Sequence, residues 1–203
     1  MRSVEYAIDL LSYPKTFGGN WPQRTKAQKV RAVSFFSYPP VRRRVFVSYH
    51  HHNDQPYYDS FSKFFHDGYE TITDNSLERA VDSSNFEYIM RRIRETHLHG
   101  SSCTIVLCGA ETPNRRYVDW EIHASLDQQM GIVGIGLPTI KWEGTGTWKP
   151  ARLQDNIDAG YASWTLWQNL ADNPQVLHQK IEETLSKSKW NIANTRPRMQ
   201  RNA

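Results

Sequence analysis

Cysteine is scarce in this chain of 203 residues, which contains only Cys103 and Cys108. The two residues lie five positions apart in one strand-like run, so their side chains point to opposite faces of the strand. They cannot pair with each other, and their spacing matches no zinc motif. We therefore predict that both are reduced core residues, because unpaired cysteine usually packs as a small apolar side chain.

Long apolar runs are also missing. No run approaches the ~20 residues with which a helix crosses a bilayer, so we expect no membrane span. Near the N-terminus, the apolar residues of 7–11 are interrupted by Asp9 and are too few for a signal peptide. These absences predict a cytoplasmic protein.

Acidic residues are rare in the first quarter of the chain. Residues 1–53 hold nine Lys/Arg against Glu5 and Asp9, a balance of +7, whereas residues 54–203 hold sixteen Lys/Arg against nineteen acids. We assign the positive charge to a proline-interrupted extension over 1–43 and expect it to be partly disordered. A nucleic-acid-binding fold usually carries its positive charge on the folded part, so nucleic acid is not the expected partner. The remaining chain is predicted to form a domain over 44–190 and a loose, basic C-terminal tail over 191–203.

Several well-known site motifs are absent. The sequence has no glycine-rich phosphate loop and no nucleophile elbow, and Gly134–Gly136 belongs to a strand pattern rather than to the start of a helix. The run His50–His52 has no further His or Cys at metal-ligand spacing, so we predict no metal site.

The sequence does contain an alternation of strand-like and helical patterns. Short β-branched and aromatic runs predict five strands, over Val45–Tyr49, Tyr69–Thr73, Cys103–Cys108, Ile132–Gly136 and Tyr161–Trp167. Apolar stripes at helical spacing predict helices over Tyr57–Asp67, from Asn85 to Gly100, from Thr112 and from Asn173. Leu137–Gly160 has little periodicity and is predicted to be a surface loop. This alternation is typical of an α/β fold with a parallel sheet that is covered by helices on both faces.

The most informative helix follows the third strand. Thr112 as N-cap and Pro113 at the first helical position predict where this helix begins. Val118, Ile122 and Leu126 recur on one helical face, which should pack on the sheet.

The same helix carries an unusual set of polar residues. Glu121 is flanked by Tyr117 and Trp120. Arg115 and Arg116 stand in the predicted first turn, where the helix dipole disfavours cations by about 0.3–1 kcal/mol each. Arginines in this position indicate that an anion binds nearby.

The first strand offers the other half of a site. Val45–Tyr49 runs directly into a polar turn over His50–Pro56. Ligands of parallel α/β sheets bind at the edge where the strands end. We therefore expect this turn to border a ligand site.

Three stretches resemble the TIR domain and, more narrowly, the TIR-like family of Thoeris anti-phage defence proteins (ThsB-like). They are Arg44–His50, Cys103–Gly109 and above all Asn114–Ile122, and the resemblance spans about residues 44–170. It implies a flavodoxin-like, three-layer fold with five parallel strands. In active members it also implies cleavage of the nicotinamide–ribose bond of NAD, and in Thoeris members synthesis of a cyclic ADP-ribose isomer that activates an effector protein.

Carried onto this sequence, the family's catalytic glutamate falls on Glu121. The resemblance places further residues around NAD, which is the substrate and not a bound cofactor. They are Ser48, Tyr49, His50 and Asp54 of the first strand and its turn, Asp74 of the next loop, and Arg115, Arg116, Tyr117 and Trp120 of the helix.

These residue types suit the chemistry that the resemblance implies. Departure of nicotinamide leaves an oxocarbenium-like ribose, which a carboxylate such as Glu121 can stabilise. Tyr49 or Trp120 could stack on a ring, and Arg115 or Arg116 could bind the pyrophosphate. Attack by water would give ADP-ribose, and attack by the adenine ring or a ribose hydroxyl would give a cyclic isomer; the sequence does not decide between them.

Two other functions stay open. TIR relatives include non-catalytic adaptors, and the loop Asp74–Asn85 lacks the Gly and Pro of many signalling TIR domains, so homo-oligomeric assembly is not decided. The second alternative is a nucleic-acid-associated protein that uses the basic extension.

Overall fold

The computed structural model describes residues 43–65, 69–72 and 86–202. The predicted N-terminal extension and Asp74 lie outside these ranges.

The core of the fold is a parallel sheet. Its strands are β1 (Arg43–Ser48), β2 (Tyr69–Ile72), β3 (Cys103–Cys108), β4 (Gly131–Gly136) and β7 (Ser163–Leu166), in the spatial order β2-β1-β3-β4-β7. Every neighbouring pair is parallel, with Ser48 beside Val106 and Cys108 beside Gly136. All six residues of β3 are buried, as expected for a central strand covered on both faces. The prediction of an α/β fold with a parallel sheet is confirmed.

Six helices pack around this sheet within the described residues. They are α1 (Gln55–Phe65), α2 (Phe86–Arg92, continued by a π-helical turn over Ile93–His97), α3 (Arg116–Asp127), α4 (Ala151–Asp158), α5 (Trp167–Asp172) and α6 (Gln175–Ser186). In the described ranges, no helix is long and apolar enough to span a membrane.

The helices cover both faces of the sheet because strand side chains alternate in direction. Alternate residues of the strands pack with α1, α5 and α6 in one cluster, which includes Val47, Phe61 and Leu177. The intervening residues pack with α2, α3 and α4. Cys103 and Cys108 are buried, unpaired and in opposite clusters, as predicted.

The prediction that Leu137–Gly160 is a surface loop is wrong. It contains an antiparallel hairpin, β5 (Trp142–Glu143) with β6 (Gly146–Thr147), and the helix α4. The buried residues of α4 are Arg152, Leu153 and Asn156. Because two of these three are polar, the buried face of this short helix is not marked by a continuous apolar stripe in the sequence.

The predicted start of α3 is also wrong. Thr112–Asn114 forms a separate 3-10 turn, and the helix begins at Arg116. The Thr112 hydroxyl does not cap a helix, because it donates to the Asp54 carboxylate and accepts from the Gly109 N–H.

The C-terminal residues were predicted to be loose, and this prediction is wrong. Residues 193–202 lie along α3 and α4, and we call them the C-terminal strap. Its hydrogen bonds include Ala193 N–H to Asn156 Oδ1 at 3.0 Å and Met199 N–H to Asp119 Oδ2 at 2.9 Å.

Candidate functional site

A hydrogen bond between β1 and α3 defines the candidate site. The Ser48 hydroxyl, on the last residue of β1, donates to Glu121 Oε2 at 2.6 Å. Both residues are buried, with Ser48 1% and Glu121 3% exposed. Two residues predicted from separate stretches of sequence are thus joined where the first strand ends.

The helix holds Glu121 in place through its inner side. Val118 and Ile122 pack in the core beside the sheet. One turn after Glu121, the Ser125 hydroxyl donates to the Glu121 carbonyl at 2.7 Å and shares a hydrogen bond of 2.7 Å with Thr104 of β3. The position of the carboxylate is therefore fixed by apolar packing and by polar contacts to two strands.

Asp54 joins the turn after β1 to the loop after β3. It is 1% exposed and accepts a 2.9 Å hydrogen bond from Thr112. A Cβ at Gly109 would overlap the Asp54 carboxylate, so only glycine fits there. Burial raises the pKa of Asp54, while the Thr112 hydrogen bond lowers it. The structure thus uses Asp54 as a brace between the two loops.

His50 and Arg115 lie beside this brace. His50 is 5% exposed, and burial, followed by the positive charge of Arg115, lowers its pKa to about 4. Its imidazole is therefore neutral at neutral pH. Among the described residues, no hydrogen-bond partner is found for His50 Nδ1 or for Arg115 Nε. Unused polar atoms near a buried carboxylate are the kind of group that a ligand can satisfy.

Tyr49 does not share the Glu121 side of the sheet. Its ring packs in the opposite cluster and stacks on Tyr58 at 4.6 Å between centroids. Its hydroxyl donates to Gln55 at 2.9 Å. Because neighbouring strand residues point to opposite faces, Ser48 and Tyr49 cannot both face the same ligand. The predicted stacking of Tyr49 on a substrate ring is not supported by this geometry.

Arg116, Tyr117 and Trp120 form a layered cluster instead of an open binding surface. The Arg116 guanidinium lies 4.9 Å from the Tyr117 ring centroid and 5.4 Å from that of Trp120. The Trp120 indole N–H donates to the Met199 carbonyl at 2.8 Å, and only 6% of Trp120 is exposed. The Arg116 guanidinium covers the Trp120 ring, and the strap binds the indole N–H. Trp120 therefore offers no free face for the predicted stacking on a substrate ring.

A buried ion pair that the sequence does not reveal joins α4 to α3. Arg152 is fully buried, and its Nε donates to Asp119 Oδ1 at 2.9 Å. The same guanidinium donates to Asn194 Oδ1 and to the carbonyls of Arg196 and Pro197, at 2.8–3.3 Å. Asp119 stood inside the recognised stretch, but no sequence signal singled out Arg152, because its helix was predicted as a loop.

In the part of the chain that the structure describes, no group of three or more His, Cys, Asp and Glu side chains is arranged to hold a metal ion. A cavity of about 720 Å³ lies beside β7 and the β5–β6 hairpin. Glu121 does not line it, so this cavity is separate from the carboxylate site.

One comparison, with protein-family models, agrees with the resemblance. Residues 46–141 match the family model described as Thoeris protein ThsB, TIR-like domain. The matched range includes Ser48, His50, Asp54, Arg115 and Glu121. No curated protein matches the chain. Among solved structures, the chain is similar to the TIR domains in the structure of the activated Roq1 resistosome directly recognizing the pathogen effector XopQ. The identity is 15%, 74% of this chain and 85% of that chain are covered, and the TM-score is 0.35.

Proposed function

We propose, from the premise that this chain belongs to the TIR-like domains of the Thoeris ThsB family, that it cleaves the nicotinamide–ribose bond of NAD with Glu121 as the catalytic carboxylate. The single observation that carries the proposal is the buried Ser48–Glu121 hydrogen bond, at the end of a parallel strand where ligands of α/β folds bind. The chain would thus act as an NAD glycohydrolase or ADP-ribosyl cyclase.

The reaction breaks the bond between ribose C1′ and the pyridinium nitrogen. The bonding electron pair leaves with nicotinamide, which becomes neutral, and positive charge develops on the ribose. Glu121 stabilises that charge, because a fixed carboxylate in a dry site interacts strongly with it. A nucleophile then bonds to C1′ and releases a proton. Water as nucleophile gives ADP-ribose, and the adenine ring or a ribose hydroxyl gives a cyclic ADP-ribose-type signal.

The surrounding residues have distinct roles in this proposal. Ser48 orients the carboxylate, and Asp54 keeps the two loops at a fixed separation. Arg115 and neutral His50 supply polar groups for the pyrophosphate, since their Nε and Nδ1 atoms have no partner among the described residues. Asp74, outside the described ranges, remains a predicted wall of the site. We place the activity in bacterial anti-phage defence, where the cyclic product would act on an effector protein.

A non-catalytic adaptor is the second candidate. The observation in its favour is the 3% exposure of Glu121, because a catalytic carboxylate must reach its substrate. An adaptor would bind a nucleotide or a second copy of the chain without turnover, and substitution of Glu121 would leave its biological effect intact.

The experiment is chromatography with mass detection on NAD incubated with wild type, Glu121→Gln and Glu95→Gln. Glu95 is an exposed glutamate on another helix and serves as the matched control. We expect nicotinamide from wild type and Glu95→Gln only. The second product separates hydrolysis, which adds a water, from cyclisation, which does not. Equal turnover by Glu121→Gln would contradict the proposal, and NAD binding without turnover in all three proteins would favour the adaptor.

A further inference from the structure

Two adjoining cavities lie where β4 and β7 end. The larger has a volume of about 720 Å³ and the smaller about 210 Å³, and Trp142 and Leu166 line both of them. The larger volume is within the ~300–1,000 Å³ of small-molecule sites. The carboxyl ends of parallel strands are also the usual ligand edge of such a sheet. Glu121 lines neither cavity, so the two cavities are not part of the carboxylate site.

The inner wall of the larger cavity is the Trp164 ring, which lies against β4. A Cβ at Gly134 or Gly136 would come within 2.7 or 2.8 Å of this ring, closer than real Cβ contacts. The two glycines therefore make the space in which the indole lies flat. Trp164 is thus a preformed part of the cavity wall.

The outer wall is the β5–β6 hairpin, which presents Trp142. This residue is 61% exposed although it is large and apolar. Lys141, directly before it, is anchored by an ion pair with Glu111 at 2.8 Å and accepts a 2.8 Å hydrogen bond at its carbonyl from the Trp148 N–H. An exposed indole on an anchored hairpin costs little conformational entropy on binding, which is why aromatic residues dominate binding sites.

Two lysines add positive charge to the aromatic walls. Lys149 is half-buried, and its Nζ lies 4.6 Å from the Trp164 ring centroid and donates to the Thr147 carbonyl at 3.1 Å. Lys180 also lines the cavity and is paired with Glu183 at 2.7 Å, while Asp172 is the one acid among the lining residues. The lining thus combines indole rings, an excess of one positive charge, and the hydroxyl and amide groups of Thr145, Thr165 and Asn169.

We propose that this cavity is an accessory site for a nucleoside phosphate, with the base on the Trp142 indole and the phosphate at Lys149 and Lys180. Stacking on aromatic side chains tolerates any base, and lysine binds phosphate as a point charge. The site is independent of Glu121, because β7 lies three strand spacings, or about 14 Å, from β1 in the sheet. It therefore does not depend on the proposed NAD cleavage.

The test is calorimetric titration of the full chain with adenosine monophosphate, adenosine and inorganic phosphate. We expect the monophosphate to bind most tightly. Trp142→Ala should weaken it about ten-fold, since a stacked base contributes that much, and Trp142→Phe should retain most of the affinity. Lys149→Met should weaken the monophosphate and leave adenosine unchanged. Trp190→Ala is the matched control, because Trp190 is 96% exposed and does not line the cavity.

Two outcomes would overturn the proposal. The first is absence of monophosphate binding by wild type at millimolar concentration. The second is binding that survives both Trp142→Ala and Lys149→Met but is lost in Arg115→Ala or Glu121→Gln, which would assign the ligand to the carboxylate site. Circular dichroism melts of each variant show whether it is folded.

Discussion

Two carboxylates on α3 stand two positions apart and have different partners. Asp119 and Glu121 are equally buried, at 5% and 3% exposure. Asp119 faces the strap, where Arg152 and the Met199 N–H bind its oxygens. Glu121 faces the sheet, where the Ser48 hydroxyl binds it at the end of β1. Burial alone therefore does not distinguish the two acids, and we base the proposed role of Glu121 on its partner and its place at the end of β1.

The largest stability effect is expected on the Asp119 side. Asp119→Ala leaves the Arg152 guanidinium buried without its carboxylate, which should lower the free energy of unfolding by about 3–5 kcal/mol. Asp155→Ala is the matched control, because its pair with Arg196 is at the surface and should contribute about 0–1 kcal/mol. Urea denaturation measures both. Equal losses in the two variants would show that the buried pair has no special role.

Removal of residues 194–203 should have the next largest effect. The deletion takes away the acceptors at Asn194, Arg196 and Pro197 for Arg152 and the Met199 contacts to α3. We expect a loss of about 2–4 kcal/mol, since hydrogen bonds to charged groups contribute about 1.5–3 kcal/mol each and solvent replaces part of them. Deletion of residues 201–203 should cost far less. Unchanged stability after the longer deletion would contradict the strap.

A pH dependence should distinguish the Glu121 side. The pKa of His50 is lowered to about 4 by burial, against about 6.5 in the unfolded chain, so the unfolded state binds more protons between these values. The stabilisation is complete above pH 6.5 and is lost as the pH falls towards 4, by about 2–3 kcal/mol in all, because solvent screening reduces the full value of the shift. The raised pKa of Asp54 acts in the opposite direction at the acid end.

His50→Asn should remove most of this dependence, whereas His99→Asn, on an exposed residue, should preserve it. Thermal melts at pH 4.5, 5.5, 6.5 and 7.5 give the comparison. Parallel pH profiles of wild type and His50→Asn would show that another group controls the transition.

The smallest stability effect is expected at Ser48. Ser48→Ala removes one hydrogen bond and should cost about 1–2 kcal/mol of unfolding free energy. The rate of NAD cleavage should fall about 10- to 100-fold, because the carboxylate loses the group that orients it. A variant that loses stability but retains full turnover would remove the orienting role from Ser48.

The sheet could be predicted from sequence for physical reasons, whereas the placement of Ser48 and Glu121 at one site came from the family resemblance. Strands such as Cys103–Cys108 are buried on both faces, so their apolar character is continuous and easy to recognise. The parallel arrangement then brings the end of Val45–Tyr49 and the helix after β3 to the same edge.

The remaining features depend on contacts that no local pattern encodes. Arg152 looks like a solvent-facing residue in a polar segment, and its burial requires Asp119 and the strap, 33 and about 44 residues away. Trp120 and Arg116 were assigned to the substrate because a sequence does not show which side chains satisfy one another. Tyr49 was assigned to the pocket although strand alternation turns it to the other face.

The most direct measurement of the central claim is release of nicotinamide from NAD by three proteins of matched fold: wild type, Glu121→Gln and Asp119→Asn, each at a temperature where it remains folded. We expect Glu121→Gln to lose at least about 100-fold in turnover with little change in stability, and Asp119→Asn to lose stability and retain turnover while folded. Turnover that survives Glu121→Gln but not Asp119→Asn would assign the chemistry to the other carboxylate and contradict the account.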